Sequence, residues 1–534
     1  MIRTLDRRSF LNCGATAAGL LVGGGVGKVW AGTAAPIVET TAGKIRGSFD
    51  SKVFSFKGVP YGASTAGDMR FLPPAKPQPW TGVRDTLELG LRAPQLPANL
   101  VPEFAVMDRT GPTGEDCLSL NIWTQGLKDG HKRPVMVWLH GGGFSTGSAN
   151  FTVYDGANLA AKHDVVLVGV NHRLNIFGFL YLPEIGGEKF AKASNAGMLD
   201  IVAALEWVRD NISNFGGDPN NVTIFGQSGG GSKVSTLLGM SAAKALFHRA
   251  IAQSGSEVRG VPRSDATETA LTILKKLNLD KSRVEALQNI PTQQLLDLTA
   301  ANPALRLTPV VDGSTLPAHP FDPVATEISA NIPLMIGSTE TEVTWNPKTN
   351  FDPLDDTALR DRVKQTLRVD EAAADRVIAV YRKGRPKASN LDLYLILSSD
   401  ASNFRTGTDT EAERKAALGK APVYKYYFQW YSPVREGKLR SMHTMDIPFV
   451  FENVEIAKTE IGEGRELYPL AEKMSGAWVA FARTGNPNHK GLSNWPAFTP
   501  NQRDTMVFNN ECKAVKDPYH EEKAAIRAAQ PART

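Results

Sequence analysis

The sequence predicts an α/β fold, a mostly parallel central sheet covered by helices on both faces, on three observations. Val135-Met-Val-Trp-Leu139 and Val165-Val-Leu-Val-Gly-Val170 are continuous apolar runs, the pattern of strands buried on both faces. Between Asn195 and Ile212, the residues Met198, Ile201, Val202, Leu205, Val208 and Ile212 recur at helical spacing, and Gly216-Gly217 closes the element. Val222-Thr-Ile-Phe225 then reads as a buried strand that turns through Gly226-Gln-Ser228-Gly-Gly230 into helix-compatible sequence. Strands alternating with helices favour parallel pairing with right-handed crossovers.

The remaining elements follow in chain order. Residues 61–116 are rich in proline and glycine and read as long surface loops. Ala250-Ile-Ala252, Ile332 to Ile336 and Val423 to Phe428 add three strands. Residues 265–300 and 355–418 read as helices with charged faces, insertions that build a cap over the sheet edge. No Gly/Ser-rich or Pro-rich linker divides the chain and no repeat is visible, so residues 35–534 are expected to form a single domain.

The first 34 residues read as an address. Asp6-Arg7-Arg8-Ser9-Phe10-Leu11 resembles a twin-arginine export motif, and a weakly hydrophobic segment follows to about Val29. Small residues at 31–35 suit cleavage. That segment is short and glycine-rich for a span, so no lasting membrane anchor is expected. The expectation is an exported bacterial protein, periplasmic or secreted. The 534 residues carry a formal charge of +5, of which this leader contributes +3, leaving no basic field that would suit nucleic acid. Beyond the leader only Cys117 and Cys512 remain, and two free thiols are the reading preferred over a disulfide. There is no CxxC, HExxH or phosphate-binding glycine loop, so no metal or organic cofactor is implied.

The chemistry centres on Ser228. A strand-to-helix turn this tight strains its central residue and needs glycines where a Cβ would meet backbone. A serine hydroxyl needs a base, and the base an orienting acid. In the chain order serine, acid, histidine, only His443, His489 and His520 of the nine histidines lie late enough. His489 sits in a Gly-Asn-Pro-Asn turn and His520 in a charged tail, which leaves His443, shortly after the strand 423–428. Glu340 and Glu342 both follow the strand ending near Ile336, and spacing does not choose between them. His140-Gly141-Gly142-Gly143-Phe144, directly after the strand 135–139, offers backbone N–H groups to a developing oxyanion.

At this point the chain resembles the type-B carboxylesterases, the family that includes the cholinesterases, and hence the α/β-hydrolase fold. Phe215 to Gly230 is similar to that family's serine signature, and Glu115-Asp-Cys117-Leu-Ser-Leu-Asn-Ile122 to its second signature. Gly58-Val-Pro-Tyr61, Arg70-Phe-Leu-Pro-Pro74, Ala252-Gln-Ser-Gly-Ser256 and Phe481 to Pro487 extend the likeness over roughly residues 36–520. The resemblance implies Ser228, Glu342 and His443 as the catalytic triad, with Gly142, Gly143 and Gly229 supplying the oxyanion N–H groups. Gln227-Ser228-Gly229 stands where the family usually has Glu-Ser-Ala, and Val343 replaces a small residue after the acid. Ala93 stands at the position of the cysteine that usually pairs with the Cys117 position, so that bridge is absent. The loop from Leu91 to Asp116 holds Phe104 but no Trp or Tyr. With no such aromatic face and a neutral Gln227, choline esters are not expected substrates.

The expected function is hydrolysis of small-molecule carboxylic esters through an acyl-enzyme. A lipase or a carbamate and xenobiotic-ester hydrolase with the same triad is the alternative. A binding protein that has lost the serine is disfavoured, because Ser228, Glu342 and His443 are all present.

Overall fold

The apolar runs become the inner strands of one twisted sheet. The structure, a computed structural model, describes residues 35–97, 102–107 and 111–530, with the side chains of all these except 104–106. The expected leader and the Phe104 ring lie outside the described residues. From Pro36 onward the chain forms one compact unit.

Eleven strands make the main sheet. They are β1 (Ser48–Asp50), β2 (Val53–Pro60), β3 (Ser119–Thr124), β4 (Arg133–Leu139), β5 (Val166–Val170), β6 (Gly217–Gln227), β7 (Arg249–Gln253), β8 (Leu334–Thr339), β9 (Val423–Phe428), β10 (Asp504–Phe508) and β11 (Lys513–Lys516). Their order across the sheet is β1-β2-β3-β5-β4-β6-β7-β8-β9-β10-β11. The run from β5 to β10 is parallel. Pairing is antiparallel at both ends, where β1, β2 and β3 lead into β5 and β11 lies along β10.

Side chains alternate across β4 as a doubly covered strand requires. Val135, Val137 and Leu139 enter one core with Ile201, Leu205 and Val208 of helix α1 (Ala196–Asn211). Met136 and Trp138 enter the other, with Met474 and Trp478 of helix α8 (Leu467–Thr484). The Trp138 ring lies 4.9 Å from each of Tyr154, Phe225 and Phe451. Aromatic pairs of this kind each add about 0.5–1.5 kcal/mol beyond area burial.

Helix α2 (Gly229–Leu238) follows β6 at the serine turn. The insertion at 265–300 contains α3 (Arg263–Lys276), which packs into the same core as α1 through Ile273 and Leu274. The insertion at 355–418 is four helices, α4 (Asp356–Leu367), α5 (Glu371–Gly384), α6 (Asn390–Asp400) and α7 (Asn403–Ala417). No described helix is long and apolar enough to cross a membrane.

Three readings of the sequence need correction. Strands β1, β2, β3, β10 and β11 show no long continuous apolar run, because polar residues interrupt or flank their apolar ones, as in Ser119-Leu-Asn-Ile-Trp-Thr124, so the signal of a doubly buried strand is absent. The segment containing His520 is a helix, α9 (His520–Ala529), not a charged tail. The described residues of 61–116 are not merely surface loops, since Val83–Asp85 pairs with Lys44–Arg46 as a short strand and Tyr61, Phe71 and Ala93 are buried. Arg70 there pairs with Glu115 at 2.5 Å and donates to the Ile290 carbonyl at 2.6 Å, tying this segment to the insertion at 265–300.

Candidate active site

The residues singled out in the sequence meet at the carboxyl ends of the parallel strands, where α/β sheets place their ligand crevices. Ser228 directly follows β6 with φ 58° and ψ −125°. A non-glycine residue held there costs on the order of 1–3 kcal/mol. The strain is held in place by hydrogen bonds on both sides: Ser228 N donates to the Gln253 carbonyl at 2.8 Å, and the Ser228 carbonyl accepts from Ser232 N at 3.0 Å. A Cβ on Gly230 would fall 2.0 Å from the Leu139 carbonyl oxygen, so only glycine lets α2 start this close to the end of β4.

The acid and the histidine are brought together by two loops that pair with each other. Thr341 N donates to the Ser441 carbonyl at 3.1 Å, forming an isolated parallel bridge beside Met442. The Thr344 hydroxyl donates to the Leu439 carbonyl at 2.8 Å. His443 Nδ1 then lies 2.5 Å from Glu342 Oε2, while Glu342 Oε1 accepts from Thr339 N at 2.8 Å. Glu342 is fully buried. Burial alone would raise its carboxyl pKa, but the His443 charge and hydrogen bond, with the Thr339 amide, outweigh burial and hold it below the usual carboxylate range. Glu340, two residues earlier, points away from His443. It accepts from Arg385 Nη1 at 2.9 Å, Gln429 Nε2 at 2.8 Å and the Tyr431 hydroxyl at 2.7 Å. Among the nearby acids, geometry therefore pairs Glu342 with the histidine. His489 and His520 are engaged elsewhere, with the Lys473 carbonyl and Asp517.

Ser228, His443 and the glycine loop share a cavity of about 1120 Å³. The N–H groups of Gly142, Gly143 and Gly229 donate to no described residue and are available to a bound oxygen. Gly143 and Gly229 are in direct apposition: a Cβ on Gly229 would fall 2.2 Å from the Gly143 carbonyl oxygen. Gln95, in the Ala93-Pro94-Gln95 segment, braces the far side of the loop. Its side-chain oxygen accepts from Gly147 N at 2.8 Å and its nitrogen donates to the Gly147 carbonyl at 2.9 Å.

Ser228 Oγ and His443 are not hydrogen-bonded in this state. The Gln227 amide nitrogen instead lies over the imidazole, 3.1 Å from Nε2 and 3.4 Å from Nδ1. Serine–histidine contacts are commonly long before substrate binds. The cavity wall is largely apolar. Met107 and Leu96 come from the irregular segment after residue 61, and Phe404 from α7, its ring 4.4 Å from the His443 ring. No residue of 265–300 lines the cavity among the described residues, so of the helical insertions it is the one at 355–418 that reaches the site. Trp345 also lines the cavity, its ring 5.9 Å from the His443 ring, and neither it nor Phe404 is legible in the sequence, because nothing in a helix or loop pattern says which aromatic will face a distant histidine. Cys117 is buried and Cys512 half-buried, both free.

The model of the carboxylesterase family matches residues 34–527. The chain belongs to the carboxylesterase family. The esterase is 33% identical to the para-nitrobenzyl esterase of Bacillus subtilis over 92% of its own length and 98% of that relative's. It is 32% identical to the phenmedipham hydrolase of Pseudarthrobacter oxydans over 92% and 99% of the two chains. Among solved structures it superposes on a Clostridium hathewayi esterase described as able to hydrolyse aliphatic aromatic polyesters, with a TM-score of 0.82 and 35% identity, covering 92% and 98%. The fold is that of the α/β-hydrolases and the activity is carboxylic ester hydrolysis.

Proposed function

We propose that this carboxylesterase works through Ser228 as nucleophile, His443 as general base and acid, and Glu342 as the orienting acid. The observation that carries this reading is the buried Glu342–His443 pair facing the same cavity as the strained Ser228. Glu342 holds the proton of His443 on Nδ1, so Nε2 is the unprotonated nitrogen, and it takes the Ser228 proton in place of its contact with the Gln227 amide as Oγ attacks the ester carbonyl carbon. The carbonyl electron pair moves to oxygen, and the N–H groups of Gly142, Gly143 and Gly229 stabilise it, each such donor being worth on the order of 10²–10³ in rate. The tetrahedral intermediate collapses, the alcohol leaves with the proton from His443, and water repeats the sequence on the acyl-enzyme. Ser228→Ala is expected to abolish hydrolysis of a nitrophenyl ester and labelling by a fluorophosphonate while leaving the unfolding midpoint unchanged. Near wild-type turnover in that variant would end this reading.

Carbamates are a second substrate class, supported by the likeness to the phenmedipham hydrolase. An ester and carbamate panel varied separately in acyl and alcohol size tests it, and interfacial activation on long acyl chains would point to a lipase instead. We also propose export by the twin-arginine route, supported by the Arg7-Arg8 motif and the segment behind it. Fusing residues 1–34 to a reporter and replacing both arginines with lysine tests this, since export that survives the change would refute it.

A further inference from the structure

Lys233 is fully buried on α2, five residues after Ser228. Among the described residues its amine has no carboxylate partner. Its Nζ donates to the His140 carbonyl at 2.8 Å, the last carbonyl before the three glycines, and lies 5.7 Å from the Phe144 ring that follows them. A lone buried cation costs several kcal/mol unless its hydrogen bonds repay it, so nothing in core packing explains a lysine here. Burial lowers its pKa to about 7.

The loop it touches is held from more than one side, by Gln95 at Gly147, by Ser145 and Thr146 on the Gly142 carbonyl, and by Lys233 at its start. Gly142 and Gly143 have φ of +91° and +62°, and glycines surrender the most backbone freedom when fixed. Two successive carbonyls are pinned: His140 O by Lys233, and Gly141 O by His140 Nδ1 at 2.8 Å. The His140 ring is itself stacked on His172 at 4.9 Å. The peptide carrying the Gly142 N–H is thus set by its own carbonyl, Gly141 O, and Lys233 holds the peptide just before it; the Gly143 N–H shares a peptide with Gly142 O, which accepts from Ser145 N at 3.3 Å and Thr146 N at 3.0 Å.

We propose that Lys233 is a positioning residue of the oxyanion trap, its Nζ anchoring the His140 carbonyl at which the glycine turn carrying the Gly142 and Gly143 N–H groups begins. This rests on the triad reading above, which fluorophosphonate labelling of the wild type at Ser228 tests separately. Lys233→Met keeps the volume and removes the donor. Its expected effect is a loss in kcat between about 10-fold and 100-fold, with KM within about threefold, because the trap acts on the transition state. A trifluoromethyl ketone makes the same discrimination: Ser228 Oγ adds to its carbonyl carbon, His443 takes the proton, and the resulting oxyanion sits in the trap. Its inhibition constant is expected to rise by the same factor as kcat falls. The unfolding midpoint is expected at or above the wild-type value, since a buried charge has been removed. Lys233→Gln, a shorter donor, is expected to lose less than the methionine variant, and it carries the same comparison if that variant does not accumulate. Turnover within threefold of wild type in the methionine variant, or a loss of turnover with unchanged ketone inhibition, would overturn the proposal.

Discussion

Glu342 and Glu340 stand two residues apart on one loop, and the structure assigns them opposite consequences. In Glu342→Gln the side chain still meets two fixed groups. The Thr339 N–H, 2.8 Å from Oε1, requires an oxygen there. The amide oxygen therefore stays on Thr339 and the NH₂ faces His443 Nδ1, where the carboxylate lay 2.5 Å away. Nδ1 must then accept, which moves the imidazole proton to Nε2, the nitrogen that has to take the Ser228 proton. The wrong tautomer and the lost charge together are expected to lower kcat by about 10³–10⁴, or roughly 4–5.5 kcal/mol of transition-state stabilisation. Glu340→Gln touches no reacting group. It removes the charge facing Arg385, whose remaining carboxylate is Glu522 at 3.2 Å, and is expected to cost about 1–3 kcal/mol of stability with kcat within threefold. Nitrophenyl acetate turnover, normalised to active sites counted with a fluorophosphonate, gives the first quantity, and urea midpoints give the second. A Glu342→Gln enzyme keeping more than a tenth of wild-type kcat would refute the tautomer argument. So would a Glu340→Gln enzyme losing as much activity as its neighbour.

Other expectations rest on separate contacts. Gly230→Ala puts a methyl group 2.0 Å from the Leu139 carbonyl, so soluble expression should collapse or stability fall by at least about 3 kcal/mol. Phe404→Ala removes the ring beside His443, and relative kcat/KM for bulky over acetyl esters should rise by about tenfold in a competitive assay. Burial, with Asp446 adding and the Thr444 hydroxyl opposing, pushes the Glu460 carboxyl up to about 8. The folded state therefore binds this proton more tightly than the unfolded state, so the contribution is complete below about pH 4.5 and lost as pH rises through about 8. Glu460→Gln should flatten the fall in unfolding free energy between pH 5 and pH 8, read from urea titrations, by up to about 1.4 kcal/mol per pH unit.

Sequence and structure divide the site along a physical line. Ser228, the Gly141-Gly142-Gly143 run and the inner strands were legible because each is a local device. A buried parallel strand must be apolar throughout, and a strained elbow must be flanked by glycine. His443 was reachable by chain order, and Glu342 only by family likeness, because two carboxylates on one loop have the same local signature. The Thr341–Ser441 bridge, between residues 100 positions apart in the chain, is what turns one of them toward the histidine. The same holds for Gln227 lying over the imidazole, for Phe404 reaching the cavity from an insertion, and for Lys233 under the glycine loop. The sequence by itself determined the strand-turn-helix that exposes the serine and the glycines that can approach an oxyanion. Only the tertiary structure shows which acid pairs with the histidine, which aromatic stands beside it and which buried lysine lies under the glycine loop, since those contacts depend on which loops meet at the sheet edge, and no short-range pattern encodes that.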